Sequence, residues 1–172
     1  GFDLKKFNDN IEVNRELTRK NFSIAKEEIA IAIVGRLAPI KNHQFFLDVI
    51  QEISIKTTKK VAVFIVGDGS EREAIENRIS QMNLGSNIRV EMTSWIKEIG
   101  VFNAGMDIMC LTSNNEGTPV SLIEAQAACI PVITTDVGGV KDIILDGETG
   151  FIVPKNSIKK YTEKLLVLIE DE

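Results

Sequence analysis

An α/β domain built on a doubly wound parallel sheet is predicted by two features of this sequence. Short apolar runs recur along the chain and alternate with stretches of helical periodicity. The runs themselves are almost continuously hydrophobic, so each strand would be apolar on both faces. Such strands belong in a sheet covered on both sides, as parallel strands joined by crossover helices are.

Taken in order, residues 4–28 are polar and rich in Lys, Glu and Asn, and read as a connecting segment with a short helix around Glu12 to Asn21. Ile29 to Val34 is the first strand. Phe45, Phe46, Val49, Ile50 and Ile53 then share one helical face. Val61 to Val66 is the second strand, followed by a helix whose apolar face would be Ala74, Ile75, Ile79 and Met82. Ile88 to Met92, Asp107 to Leu111, Val132 to Thr134 and Gly150 to Val153 complete the strands. A last helix, about Ser157 to Glu170, turns Tyr161, Leu165, Leu168 and Ile169 inward. The architecture is Rossmann-like, with any ligand expected at the carboxyl ends of the strands. The Gly- and charge-bearing segments Gly35 to Lys41, Gly67 to Gly69, Thr93 to Glu98, Ser113 to Val120 and Asp136 to Gly139 all follow strands.

The run SNNEGTPVSLIEAQAACIP, from Ser113 to Pro131, carries the most chemistry. Pro119 suits the first turn of a helix, which predicts a helix from Pro119 to Ala128 with Glu124 inside it and Glu116 in the loop before. The N–H groups of Gly117, Thr118, Val120 and Ser121 would then converge at a helix N-terminus, a setting that favours a phosphate. Two flanking carboxylates would accept hydrogen bonds from sugar hydroxyls. Arg36 and Lys41 are the best cations for a pyrophosphate, a bidentate fork and a point charge respectively.

Together with Gly35-Arg36-Leu37 and Lys41, Val66 to Gly69, Trp95-Ile96 before Asp107, Pro131-Val132-Ile133, Gly138-Gly139 and Gly147 to Pro154, this run resembles the C-terminal half of retaining glycosyltransferases with the two-domain GT-B fold. These are the group 1, or family 4, enzymes with the Glu-x7-Glu motif. The resemblance covers nearly the whole chain, and Gly1-Phe2-Asp3 with Phe7 is similar to the family's interdomain segment. It implies residues 1–28 as interdomain segment and short helix, residues 29–172 as the nucleotide-sugar-binding domain, and an N-terminal acceptor domain that this chain lacks.

The resemblance also implies roles. Glu116 would position the donor sugar, and Arg36 and Lys41 would stabilise the leaving diphosphate. Glu124 would hold the ribose hydroxyls, with Gly117, Thr118, Pro119, Val120, Ile96 and Gly67 completing the donor site. The donor would be a nucleoside-diphosphate sugar, used without a metal or other cofactor, and the acceptor a glycan or glycolipid met through the absent domain. The base edge would be read by backbone near Ile96 to Glu98. Trp95 is equally a base platform or an anchor under its loop. Ser94, Cys129 and Asp142 depart from the family's usual Gly, Gly and Glu. A left-handed position at Cys129 would cost a non-Gly residue ~1 kcal/mol or more.

Composition narrows the alternatives. With 44% hydrophobic and 26% charged residues, the 172-residue chain is ordinary for one globular domain. A net charge of −5 argues against a nucleic-acid binder. No apolar run reaches the ~20 residues of a bilayer span, so the expected location is cytoplasmic, with peripheral membrane association of the full-length protein left open. The single histidine, His43, and the spacing of Cys110 and Cys129 argue against a zinc site; both cysteines are expected reduced, in or near the core. His43 and Asn42 read as the start of a helix. A dehydrogenase domain is disfavoured, because Gly35 is followed by Arg-Leu-Ala-Pro where a Gly-x-Gly-x-x-Gly turn would be needed. Glycoside hydrolysis by the paired carboxylates is disfavoured by the phosphate-type helix terminus beside them. A plain nucleotide or sugar-phosphate binding module remains the rival reading.

Overall fold

A computed structural model describes residues 2–171; Gly1 of the expected interdomain segment lies outside the described residues. Six strands, β1 (Ile29–Val34), β2 (Val61–Val66), β3 (Ile88–Thr93), β4 (Ile108–Leu111), β5 (Val132–Thr135) and β6 (Gly150–Val153), form one sheet. Its order is β3-β2-β1-β4-β5-β6, and every pairing is parallel. The strands are the six expected, with bounds shifted by at most a residue.

Side chains alternate across the sheet into two apolar layers. Ile31, Ile33, Val63, Ile65, Cys110 and Ile133 pack on one side against α3 (His43–Lys56), α4 (Arg72–Gln81) and α7 (Ile158–Glu170). Ala30, Ala32, Phe64, Val66, Met109 and Leu111 face α5 (Ile99–Ala104), α6 (Val120–Ala127) and the N-terminal segment. Both faces of β2 are therefore fully buried, which is why VAVFIV has no polar alternation.

The N-terminal segment is packed on this core. Phe7, in the short helix α1 (Lys5–Asn8), is buried, and Phe22 meets Phe64 and Phe102 edge to face at 5.4 and 5.3 Å. Helix α2 (Ile11–Asn21) is clamped through Asp107, whose carboxylate accepts from Arg15 at 2.7 Å, Arg19 at 3.2 Å and the Ala30 N–H at 2.8 Å. Asp107, expected to open the fourth strand, thus lies at the amino end of β4 and fastens the first helices to the sheet.

Several expectations need correction. Helices α1 and α5 were not legible, being four and six residues long, too short to show a period. Ala74 is exposed; α4 buries only Ile75, with Ile79 and Met82 partly covered. Cys110 is buried as expected, but Cys129 is exposed. Cys129 does adopt the left-handed conformation, φ 59°, at the end of α6. The Ile130 N–H donates to Ala125 O and the Cys129 N–H to Gln126 O, both at 3.0 Å, which is a complete Schellman ending with cysteine in the place that favours glycine.

Candidate functional site

The sheet order reverses between β1 and β4, so the loops after these strands part and leave a crevice at their carboxyl ends. A cleft of about 250 Å³ occupies that position, lined by Val34, Gly35, Lys41, Trp95, Glu116, Thr118, Pro119, Val120, Ser121 and Glu124.

Lys41 comes from the turn after β1. A 3-10 turn over Pro39–Lys41 delivers it, and Asn42 follows at φ 53°, ψ 53° as N-cap of α3, its side chain accepting from the Phe45 N–H. Asparagine tolerates this left-handed position better than most residues, so it takes the place where the resembled family often has glycine. The loop is pinned from β4: the Thr112 hydroxyl lies 3.0 Å from Lys41 O and 3.1 Å from Asn42 O.

Glu116 is reached from β4 through Ser113. Its Oε1 accepts from Lys41 Nζ at 2.5 Å and from the Ser113 hydroxyl at 2.6 Å. The Glu116 side chain is only 9% exposed, and Lys41 is its counter-charge there. The backbone around it is closely packed: a Cβ on Gly138, at φ 48°, would stand 1.6 Å from Glu116 O. Only glycine fits that contact.

Glu124 projects from α6 and has no hydrogen-bond partner among the described residues. Burial holds its pKa above the ordinary carboxylate value, opposed by the charge of Lys6. Trp95 is 59% exposed and forms a wall of the cleft, so the reading of it as an anchor is not what the structure holds. Its ring passes over Gly67, where an added Cβ would lie 3.5 Å from Trp95 Cη2 and collide with Gly35 O.

The start of α6 differs in detail from the sequence reading. Pro119 is the N-cap, φ −79° and ψ 82°, and Val120 is the first helical residue. These angles make Pro119 the centre of an inverse γ-turn in which the Val120 N–H donates to Thr118 O at 2.9 Å. Val120 is thereby withdrawn from the expected set of free donors. The N–H groups of Gly117, Thr118 and Ser121 donate to no protein acceptor among the described residues.

Of the residues singled out from the sequence, Lys41, Glu116, Thr118, Pro119, Val120 and Glu124 meet in the cleft. Arg36 does not line it. The backbone at its neighbour Leu37 is tied to Asp68 O and the Leu37 side chain is buried, while Arg36 is exposed. Gly117 is exposed at the rim, and Gly67 sits beneath Trp95. Ile96 is partly buried against the second apolar layer. Sequence reasoning missed Ser113 and Thr112 as polar partners; the signal was two hydroxyl residues ending a strand whose other side chains are apolar.

His43 is 4% exposed, and neither ring nitrogen has a hydrogen-bond partner among the described residues. Burial, with Lys41 close by, pushes its pKa down to about 4, so it is neutral at pH 7.

A larger cleft, about 430 Å³, opens at the amino ends of the strands near Ile29, Asp107 and Phe151. It is lined by Asp107, Glu148 and Asp171 with no Lys or Arg, and Asp107 is already paired with Arg15 and Arg19, so the smaller cleft is the better candidate for an anionic ligand. Among the described residues no three His, Cys, Asp or Glu side chains are grouped to hold a metal ion, and no helix is long and apolar enough to cross a membrane.

Residues 14–172 match the family described as glycosyl transferases group 1. Among curated relatives, the capsular polysaccharide biosynthesis glycosyltransferase CapM of Staphylococcus aureus is 31% identical over 161 residues, covering 92% of this chain and 41% of that protein. An Escherichia coli UDP-Gal:alpha-D-GlcNAc-diphosphoundecaprenol alpha-1,3-galactosyltransferase is 28% identical over 174 residues, 100% of this chain and 44% of that one. The chain therefore spans less than half the length of these relatives. Among solved structures, the C-terminal domain of a glycosyl transferase group 1 family protein, LpcC from Francisella tularensis, superposes with a TM-score of 0.80 at 26% identity, over 99% of this chain and 89% of that one. Anabaena Alr3699/HepE in complex with UDP and glucose has the same fold, with a TM-score of 0.84 at 20% identity over 99% of this chain and 46% of that one.

Proposed function

Because the chain belongs to the group 1 glycosyl transferases, we propose that its cleft binds a nucleoside-diphosphate sugar and that the chain is the donor-binding domain of a retaining enzyme. The Rossmann-like sheet is one half of a GT-B fold, and residues 29–172 are read as the donor domain with 1–28 as the segment leading into it. The observation that carries the reading is the meeting of one cation, Lys41, and two carboxylates, Glu116 and Glu124, beside free N–H groups at the switch point of the sheet.

The chemistry follows from those groups. Glu124 accepts from the vicinal hydroxyls of the ribose, and Trp95 offers a face to the base. The diphosphate lies by Lys41 and the N–H groups of Gly117, Thr118 and Ser121. Glu116 takes hydroxyls of the transferred sugar. When the bond from the anomeric carbon to the diphosphate oxygen breaks, negative charge grows on that oxygen, and Lys41 stabilises it. Arg36, which lies outside the cleft, reaches the diphosphate only if its loop turns inward as the donor binds. The sugar passes with retention to a hydroxyl of a glycan or glycolipid, as the relatives in capsule and lipid-linked glycan synthesis suggest.

The acceptor would be brought by a second domain closing over the donor, which also excludes water. The isolated 172 residues should accordingly bind donor without transferring it. Calorimetric titration with UDP-, GDP- and ADP-sugars, followed by a transfer assay at high protein concentration, tests both halves. Failure to bind any nucleotide sugar would defeat the donor-site reading. Binding without transfer even by a longer form carrying the preceding domain would favour a sensor.

A further inference from the structure

We propose that Ser113 is a positioning residue for Glu116: its hydroxyl fixes which carboxylate oxygen is left for the ligand. The proposal rests on the donor-site reading and goes beyond it, since no part of that reading needs Ser113.

Ser113 is completely buried at the end of β4. Its Oγ donates to Glu116 Oε1 at 2.6 Å, the short distance typical of a hydroxyl on a carboxylate. Lys41 Nζ takes the same oxygen. Both protein donors therefore sit on Oε1, while Oε2 accepts from no protein group among the described residues. A carboxylate held at one oxygen by two donors from different loops, one after β1 and one after β4, cannot swing without losing both. Its second oxygen is then presented to the cleft in one orientation.

Ser113 itself is held. Its carbonyl accepts from the Thr135 hydroxyl at 2.7 Å, so β5 fixes the backbone from which Oγ projects. Next to it, Thr112 ties the backbone of Lys41. Two adjacent hydroxyl residues thus set the two members of the ion pair, one through the carboxylate and the other through the main chain. A purely structural serine would satisfy its own backbone or a buried carbonyl. This one spends its only proton on a charged group in the cleft.

The test separates the sugar's contribution from the nucleotide's. The affinity of the chain for a nucleoside diphosphate and for its glucose ester is measured by calorimetry, with uridine, guanosine and adenosine pairs, and their ratio is the sugar increment. Ser113→Ala should cut the increment by about tenfold, the order expected when a hydrogen bond to a charged group is lost, and leave the diphosphate affinity unchanged. In a Glu116→Ala background the same change should do nothing further. Ser54→Ala, which removes a hydroxyl that donates to Gln51 O within α3 and lies outside the cleft, should spare the increment.

An increment lost in Glu116→Ala but kept in Ser113→Ala would overturn the proposal and leave the donor reading intact. Equal loss for diphosphate and ester, with a lower Tm, would mark Ser113 as structural and also overturn it. If Glu116→Ala leaves the increment unchanged, or if no pair binds, the donor-site reading fails and the proposal falls with it.

Discussion

Lys41 and Glu116, 75 residues apart in sequence, form an ion pair with 2.5 Å between Nζ and Oε1. The group read as neutralising the diphosphate and the group read as holding the sugar are thus each other's counter-charge. Bound donor would have to share Lys41 with Glu116, not merely meet a free cation.

Lys41→Ala should therefore have two effects. Affinity for a nucleoside diphosphate should fall far more than affinity for the nucleoside, and the gap should narrow as salt is raised, since charges are screened over about 8 Å at 0.15 M. Stability should also fall, by on the order of 1 to 2 kcal/mol for a partly exposed pair left with one member. Equal weakening of nucleoside and diphosphate would argue against a diphosphate role. Arg36→Ala, changing an exposed residue outside the cleft, should have the smaller effect of the two.

Glu124→Ala should weaken nucleoside binding by roughly 1.5 to 3 kcal/mol, the loss expected for hydrogen bonds to a charged acceptor. The pH dependence has a definite sign. Burial raises the carboxyl pKa of Glu124, so as pH falls it protonates earlier than an ordinary glutamate and ceases to be acceptor-only. Nucleoside affinity should then decline from a pH above the usual carboxylate range. Glu124→Gln should be weaker at pH 7 and flat across that window; a wild-type profile that is already flat would remove Glu124 from the ribose.

Cys129→Gly should stabilise the fold. The Schellman ending of α6 places residue 129 at φ 59°, where an L side chain costs about 1 kcal/mol that glycine does not incur. For a chain of this size that corresponds to a Tm rise of about 2–4 °C in differential scanning calorimetry. Cys129→Ala, which keeps the Cβ, should not show it.

His43 should make the protein acid-labile. Its pKa in the fold is about 4 against the ordinary histidine value of 6.5, so between those values the unfolded chain binds a proton that the native chain does not. Stability attributable to His43 is thus intact above pH 6.5 and lost as pH falls toward 4, with a slope approaching about 1.4 kcal/mol per pH unit. Denaturant titrations of His43→Leu should lack that component. They should also show no loss at pH 7, because both ring nitrogens are buried without partners among the described residues.

The strands were legible because burial on both faces leaves an uninterrupted apolar run, as in IAIAIV and VAVFIV, and the longer helices because one apolar face repeats at helical spacing. Parallel pairing and the location of the site at the strand ends followed from that alternation. Lys41, Glu116 and Glu124 were legible through local spacing and a recognisable motif. What lay beyond the sequence were relations between loops. Arg36 reads as well as Lys41 in the same loop, yet only Lys41 lines the cleft, while Arg36 is exposed outside it. Asp107 reads as the start of a strand, and nothing local shows that it binds Arg15 and Arg19 across some 90 residues. Ser113 opens the run read as site-forming, three residues before Glu116, but only the folded loop turns its hydroxyl onto that carboxylate. Local periodicity fixes elements because its physics is short-range; the partner of a charge is set by which loops the sheet order brings together, and no single segment of the chain encodes that.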